Sequence, residues 1–181
     1  MSYYNVDAIL TETQKIPCTF QLDVPGLGYL DGNAGGMIKA GTTIELPMWL
    51  GVMLAVSAGK TPGSPQLVTL NFPTPLQQRV INALKADPRT VDLRAQAPHY
   101  YALSARIMEL FDDQDVLNTL IDTFKARALE VADQAHNPRG ALGDGADFLR
   151  GLEETERHLF KAAHEGPKAV KAWTKDLKKN T

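Results

Sequence analysis

Residues 16–50 read IPCTFQLDVPGLGYLDGNAGGMIKAGTTIELPMWL, and this stretch sets the order of the structural elements. Apolar residues occupy every second position from Ile16 to Leu22, which indicates a strand with one buried face. Residues 23–46 contain turn-forming residues and two short strand candidates. Pro47 suits the first turn of a helix, because the N–H that proline lacks would have no partner there. The stretch therefore predicts a small β-type head that leads directly into a helix.

The helix predicted after Pro47, over residues 47–57, is apolar on nearly every side. A helix of this kind must be buried, either inside its own chain or against another chain. Its apolar residues are Met48, Trp49, Leu50, Val52, Met53, Leu54 and Val56. Trp49 has two interpretations, as a core residue or as an interface anchor, since tryptophan is enriched at binding hot spots. We expect the core position.

The rest of the chain is predicted to be helical. Residues 60–66 contain two prolines, a glycine and a serine, and are the best linker candidate. One extended piece follows, and then helices are predicted at 74–86, at about 98–111, from the acidic residues at 112–115 to about 135, at 147–164 and at 167–178. The helix that ends near 135 is expected to bury Val116, Leu117, Leu120, Ile121, Phe124, Ala128 and Val131. The predicted fold class is α+β, mainly α. It consists of a small N-terminal β-rich domain with an apolar exit helix at 1–60, and a helical-bundle domain at 66–181.

Composition narrows the function classes. The 181 residues carry a formal net charge of −2, which is unlike a domain that binds nucleic acid over its whole surface. The single cysteine, Cys18, excludes an internal disulfide and a Cys-based zinc site. The N-terminus lacks the basic region of a signal peptide. The longest apolar run, Leu46–Val56, is well short of the roughly 20 residues that a membrane span needs, so no membrane partner is expected.

No motif predicts a catalytic, cofactor or metal site. The glycines between residues 26 and 36 follow neither nucleotide-binding pattern and are expected in turns. The four histidines are scattered without ligand spacing. Glu153, Glu154 and Glu156 lie at helical spacings from basic residues, which predicts a solvated, ion-paired face. We therefore expect a protein that is not an enzyme and has no cofactor. The alternative is an enzyme whose site is assembled from scattered polar residues such as His99, Tyr100, Tyr101 and Arg106.

The C-terminal helix is predicted to be amphipathic. Its lysine stripe consists of Lys168, Lys171, Lys175 and Lys178, and its packing face of Val170, Trp173 and Leu177. A solvated stripe is the preferred interpretation. A contact with nucleic acid or an acidic partner stays open, and with it the alternative of a stand-alone nucleic-acid-binding protein.

Several segments together resemble a known family, the third partner-of-Sld subunit of the eukaryotic GINS complex in its fungal form. They are YYNVDAIL at 3–10, IPCTF at 16–20, VPGLGYL at 24–30, IKAGTTIELPMWL at 38–50, LKADPRTVDLR at 84–94 and FLRGLEETERHLF at 148–160. The likeness covers nearly the whole chain. Its most specific part is residues 39–50, where glycine, strand, proline and tryptophan follow in a fixed order.

The resemblance implies a β-type domain followed by a helical domain. It also implies a nuclear, non-catalytic scaffold in a heterotetramer with the other three GINS subunits. Through that complex it implies links to the MCM ring and to the Cdc-type partner of the replicative helicase, in the initiation of DNA replication and in fork progression. Direct contact with DNA is not expected. The candidate residues for a partner interface or for the junction between the two parts are Tyr3, Tyr4, Pro47, Met48, Trp49, Leu50, Met53 and Trp173.

Overall fold

The computed structural model describes residues 4–57, 66–136 and 145–179, without the side chains of residues 176–179. Contacts divide the chain into two units, Met1–Gln77 and Gln78–Thr181. The first unit contains α1 (Val6–Glu12), β1 (Lys15–Phe20), β2 (Val24–Pro25), β3 (Met37–Ile38), β4 (Thr43–Pro47), α2 (Met48–Val56) and β5 (Val68–Leu70), with short 3₁₀ turns at Gly28–Asp31 and Thr74–Leu76.

The first unit is built on a three-stranded antiparallel sheet. β1 is the central strand, with β4 on one side and β5 on the other. Alternate residues of β1, namely Ile16, Cys18 and Phe20, are fully buried, as the sequence pattern predicted. The strand ends at Phe20, so Leu22, which was counted in the alternation, is exposed instead.

Helix α2 packs on the buried face of this sheet through Gly51. A Cβ atom at Gly51 would lie 2.9 Å from Cys18 Sγ and 3.2 Å from Ile16 Cδ1. No side chain larger than hydrogen fits at that distance without displacing its neighbours. The glycine therefore sets how closely helix and sheet approach.

The glycines between β2 and β3 belong to turns. β2 and β3 form a two-stranded antiparallel pair, with Val24 opposite Ile38. Gly32 ends the 3₁₀ turn with φ of 75°, a conformation that other residues rarely adopt. Gly28 approaches the backbone at Asn33 so closely that a Cβ atom there would collide with the Asn33 carbonyl. This agrees with the prediction of turn glycines.

The second unit is helical and contains α3 (Gln78–Ala86), α4 (Leu93–Gln96), α5 (Tyr100–Met108), α6 (Gln114–His136), α7 (Gly145–Arg150) and α8 (Glu154–Lys179). Asp113 accepts hydrogen bonds from the backbone N–H groups of Asp115 and Val116, and so begins α6. The buried apolar residues include Ile81, Leu84, Leu93, Leu103, Ile107 and Val131. The mainly helical α+β class is thus confirmed.

Two helix boundaries differ from the prediction. α8 is one helix that continues through Pro167, where a break was expected. Pro167 and the residues around it are exposed, so water can bind the carbonyl group that the missing N–H leaves free. The helix predicted at 147–164 is split, because the N–H of Gly151 closes α7 on Asp147 and Phe148 and a new helix begins after Glu153.

The first unit extends further than residue 60. β5 pairs with β1, and the contact division falls after Gln77. Most of the predicted linker, residues 60–66, lies outside the described residues. The division into domains at 1–60 and 66–181 therefore stays a prediction.

Candidate partner-interface surfaces

Helix α1 turns its apolar side outward. Val6, Ile9 and Leu10, at positions i, i+3 and i+4, are all exposed. Thr11 is buried on the opposite side, and its hydroxyl donates a 2.7 Å hydrogen bond to the carbonyl of Asp7. A helix with only water on its outer side would expose its polar residues and bury its apolar ones.

Helix α2 also exposes apolar side chains along one line. Trp49, Met53 and Val56 lie at i, i+4 and i+7, and 49% of Trp49 and 53% of Met53 are exposed. α1 and α2 are in contact, and the N–H of Met48 donates a 2.8 Å hydrogen bond to the Gln14 carbonyl just after α1. We call the six residues Val6, Ile9, Leu10, Trp49, Met53 and Val56 the head surface.

Some of the residues predicted for a partner interface or junction are buried, and others are exposed. Met48 is fully buried, whereas Pro47 and Leu50 are half-buried. Tyr4, Trp49, Met53 and Trp173 are exposed, and Tyr3 lies outside the described residues. The expected core position of Trp49 is wrong, because α2 lies on the sheet with its Met48 and Gly51 side and the described chain leaves the Trp49 side uncovered. A partner-interface role for these residues stays a prediction.

Helix α6 of the second unit also exposes apolar side chains, namely Ile121, Phe124 and Leu129. Its buried side is mixed and carries Val116, Thr119, Leu120, Thr123, Arg127, Val131 and Ala135. The sequence predicted Ile121 and Phe124 as buried, and this prediction is wrong for the isolated chain. Their helical spacing resembles a core face, but α5 and α8 cover this side of α6 only in part: the Phe124 ring meets that of Tyr101 edge-on, with 5.1 Å between the ring centroids, and the rest is open.

Two apolar hollows lie along this exposed side of α6. One, of about 450 Å³, is lined by Tyr101, Ser104, Ala105, Met108, Leu117, Leu120, Ile121, Phe124, Lys125 and Thr155. The other, of about 500 Å³, is lined by Lys125, Ala128, Leu129, Ala132, Leu159 and Ala163. Lys125 belongs to both. We call the two hollows together the bundle groove.

A buried arginine organises the core of the second unit. Arg127 Nε and Nη2 bind the Glu156 carboxylate at 2.6 and 2.8 Å, and both side chains are 1% exposed. Nη1 donates to the carbonyls of Pro88 and Val91 at 2.8 and 2.9 Å, and Nη2 also reaches the Gly151 carbonyl at 3.5 Å. All five guanidinium N–H groups therefore have acceptors, as a buried arginine requires.

Glu153 and Glu156 cap α8 reciprocally. The N–H of Glu156 donates to the Glu153 side chain at 3.0 Å, and the N–H of Glu153 donates to the Glu156 side chain at 3.2 Å. This is a capping box with glutamate at the N-cap. Burial raises the pKa of Glu153, and the backbone hydrogen bond from Glu156 opposes that rise. The predicted solvated face is therefore wrong for Glu153 and Glu156, which are both buried. The ion-pair partner of Glu156, Arg127, is far away in sequence.

Of the residues of the alternative enzyme site, His99 and Tyr100 are buried, whereas Tyr101 and Arg106 have polar partners. The hydroxyl of Tyr101 donates a 3.0 Å hydrogen bond to Glu156, and burial raises the pKa of Tyr101 far above its usual range. Tyr100 is fully buried, and Arg106 pairs with Glu109. Within the described ranges no three His, Cys, Asp or Glu residues cluster as metal ligands. None of the helices described there is long and apolar enough to cross a membrane.

The last turns of α8 lie apart from the rest of their unit. Every described side chain from Glu165 to Lys175 is exposed, including 63% of Trp173. The predicted packing face of Val170 and Trp173 is therefore not packed in the isolated chain. The side chains of Leu177 and Lys178, which complete the predicted faces, lie outside the part of the chain that the structure describes.

The fold defines a class of protein that has a small N-terminal unit of strands and helices, a helical bundle, and helices with exposed apolar faces. Comparison with known families identifies the class more closely. Residues 4–56 match the family model described as PSF3 N-terminal domain, and residues 75–175 match the GINS complex protein helical bundle domain.

Fungal proteins resemble the chain over its whole length. The DNA replication complex GINS protein PSF3 of Phaeosphaeria nodorum is 63% identical, with 98% of both chains covered. Its counterpart in Aspergillus fumigatus is 60% identical over 99% of both chains. The Schizosaccharomyces pombe protein is 35% identical, over 96% of this chain and 97% of its own. The chain belongs to the GINS Psf3 family, which confirms the resemblance in the sequence.

Proposed function

We propose that this chain is a non-catalytic scaffold subunit of a GINS heterotetramer and acts in DNA replication in the nucleus. The observation that carries the proposal is the outward apolar face of α1, α2 and α6 in a chain with this family membership. Each of these helices leaves apolar side chains in water that an assembled complex would cover. Exposed apolar patches of this kind mark interaction sites on folded proteins.

Each unit carries a surface of its own. The head surface belongs to the first unit, and the bundle groove belongs to the second. A chain with one partner surface on each unit is suited to hold neighbouring subunits together, so its partners are the other three GINS subunits. Through this complex the chain joins the MCM ring and the Cdc-type partner in the helicase assembly.

The polar groups of the bundle favour structure over catalysis. Arg127, Glu156 and Tyr101 bind one another and nearby carbonyls, and Glu153 caps a helix. Groups that already satisfy each other in a buried network are not free to bind a substrate. The chain therefore contributes shape and contacts, and the proposal includes no direct contact with DNA.

Co-expression with the other three subunits and native mass measurement test this proposal. We expect one copy of each subunit in a single complex. The double variant Trp49→Ala/Met53→Ala should assemble at least about tenfold more weakly, because exposed aromatic residues at the centre of an interface carry much of its affinity. A matched control is Tyr29→Ala/Met37→Ala, which removes side chains of similar exposure, 61% and 53%, from the β2–β3 region.

The control should assemble like the unchanged chain. A chain that never joins the other three subunits would contradict the proposed function. Equal assembly of the two double variants would contradict the role of the head surface.

A further inference from the structure

A hollow of about 420 Å³ opens between α7 and the first turns of α8. Its apolar wall consists of Leu149, Leu152 and Phe160, and its polar rim includes Arg157 and Lys161. Glu154, on the same rim, pairs with Arg157 at 3.9 Å. The hollow can therefore take an apolar side chain of a partner, and the Lys161 ammonium lies beside it.

The lysine stripe lies on the same face of α8 as this rim. Lys161 precedes Lys168 by seven residues, which is two helical turns, so it extends the stripe to the hollow. From Lys161 to Lys175 the helix rises about 21 Å at 1.5 Å per residue. We call four exposed residues the lysine row, namely Lys161, Lys168, Lys171 and Lys175. Among the described side chains, none of these four ammonium groups has a carboxylate within ion-pair distance.

His164 holds one ammonium group of the row in place. Its Nδ1 is 3.1 Å from the Ala135 carbonyl, which can only accept a hydrogen bond, so Nδ1 carries the proton. Nε2 is then an acceptor, and the Lys168 ammonium donates to it at 2.7 Å. That ammonium keeps its charge and two further N–H donors. Lys168 is thus positioned to bind an anion and is not neutralised by one.

The charge of the row defines the chemistry of its occupant. Four neighbouring ammonium groups repel one another, and a run of carboxylates at a similar spacing would offset that repulsion. Residues of an extended chain advance about 3.3 Å each, so about seven of them span the row. A run of like charges stays extended through its own repulsion. Because the row lies on the outside of an exposed helix, water can bind the backbone groups on the far side of such a segment.

Three observations favour an acidic peptide over a nucleic acid. The chain has a formal net charge of −2, which repels another polyanion at long range. The row contains lysine alone, whereas arginine is the preferred residue for nucleic-acid recognition. Trp173 is two residues from both Lys171 and Lys175, so its exposed ring lies on the opposite side of the helix and cannot stack a base above the row.

We propose that the hollow and the lysine row together bind an extended acidic segment of a further protein, with one apolar side chain in the hollow and successive carboxylates along the row. This inference goes beyond the proposed function, because it concerns a partner bound by charge on the polar side of α8. It does not depend on the apolar surfaces that the other subunits are proposed to cover.

Fluorescence anisotropy of the full chain with a labelled peptide tests this site. The probe has one leucine followed by about eight glutamates, enough to span the row when extended. The triple variant Lys161→Gln/Lys171→Gln/Lys175→Gln should bind the probe at least about tenfold more weakly, since three charge contacts are lost. Glutamine preserves the helix, and far-UV circular dichroism should show the fold of the unchanged chain.

A matched control removes three positive charges from other places. Lys15→Gln/Lys39→Gln/Arg79→Gln changes the net charge by the same amount at exposed positions, and should alter the dissociation constant by less than about twofold. Equal weakening by the two triple variants would show that only net charge matters, and would overturn the proposal.

Two further probes test the hollow and the class of ligand. A peptide with glycine in place of the leucine should bind the unchanged chain several-fold more weakly, because the leucine side chain leaves water on entering the hollow. A single-stranded DNA oligonucleotide of the same charge should bind more weakly than the leucine peptide. Equal binding of the leucine and glycine peptides would overturn the role of the hollow. Tighter binding of the oligonucleotide, lost in the triple variant of the row, would assign the row to nucleic acid and overturn the proposed acidic peptide.

Discussion

Replacing Arg127 with methionine should strongly destabilise the second unit. Methionine has a similar length and fits an apolar environment, but it removes the charge and all five donors. The Glu156 carboxylate, which is 1% exposed, would lose its ion-pair partner. The carbonyls of Pro88 and Val91 would lose the donor that now holds their turn against α6.

The expected cost follows from this burial. Removing one partner of a buried ion pair costs about 3–5 kcal/mol, because the remaining charge stays in the interior. That is a large share of the roughly 5–15 kcal/mol by which a domain is stable. Glu156→Gln should cost about as much, since it leaves the Arg127 charge uncompensated. The double variant should cost about the same as either single variant, which leaves a coupling free energy of at least about 2 kcal/mol.

Urea unfolding monitored by circular dichroism measures these free energies, with the denaturant slope as a check that the unfolded states are comparable. Arg89→Met is the matched control. Arg89 pairs with Asp87 at 3.2 Å, but its side chain is 58% exposed, so the loss should be under about 1 kcal/mol. A cost for Arg127→Met no greater than that for Arg89→Met would refute this account of the buried network.

Three further predictions concern single sites. Gly51→Ala should destabilise the first unit by about 1–3 kcal/mol because of the 2.9 Å approach to Cys18 Sγ. Urea unfolding measures this loss, and an unchanged free energy of unfolding would count against the close approach of α2 to the sheet. The pKa of Glu153 is higher in the native state than in the unfolded chain, so the native state binds more protons at pH values between these two pKa values. The free energy of unfolding therefore falls as the pH rises through that range. The Glu153→Gln variant should therefore be more stable than the unchanged chain at pH 7, and the difference should be smaller near pH 4. A variant that is no more stable than the unchanged chain at pH 7 would count against a buried charge at Glu153. Burial raises the pKa of Cys18 to about 11, so iodoacetamide at pH 8 should alkylate Cys18 only after unfolding, and rapid labelling of the native chain would show that the thiol is accessible.

The head of the fold was predictable because its signals are local. The alternation from Ile16 to Phe20 has the period of a strand, and its buried side is the apolar side. Pro47 and the apolar run after it likewise located α2, although Pro47 ends β4 and the helix begins only at Met48. β5 was recognised only as an extended piece, since its pairing with β1 joins residues about fifty positions apart.

The surfaces were harder to predict because sequence periodicity does not say what covers a helix. Ile121 and Phe124 have the spacing of core residues, and in the isolated chain they are exposed. Trp49 is a similar case on α2. An apolar helix face has the same sequence pattern whether it packs on a partner or on its own chain. Only the structure distinguishes the two cases.

The buried network was missed for the opposite reason. Glu153 and Glu156 lie among charged residues at helical spacing, a pattern typical of solvated helix faces. Glu156 is buried against Arg127, which comes from another helix 29 residues earlier in the chain, and Glu153 is buried beside it as the N-cap of α8. A signal was present in the Glu-x-x-Glu spacing at the start of α8, which is that of a capping box with glutamate in place of serine.

Hydroxyl-radical footprinting of the chain alone and in the four-subunit complex tests the central claim that outward apolar helix faces are partner interfaces. The method reports the exposure of individual aromatic and sulfur-containing side chains. Trp49, Met53 and Phe124 should react in the isolated chain and lose most of their reactivity on assembly. Met37 should react equally in both states, and reactivity of Trp49, Met53 and Phe124 that stays unchanged in the intact complex would contradict the account.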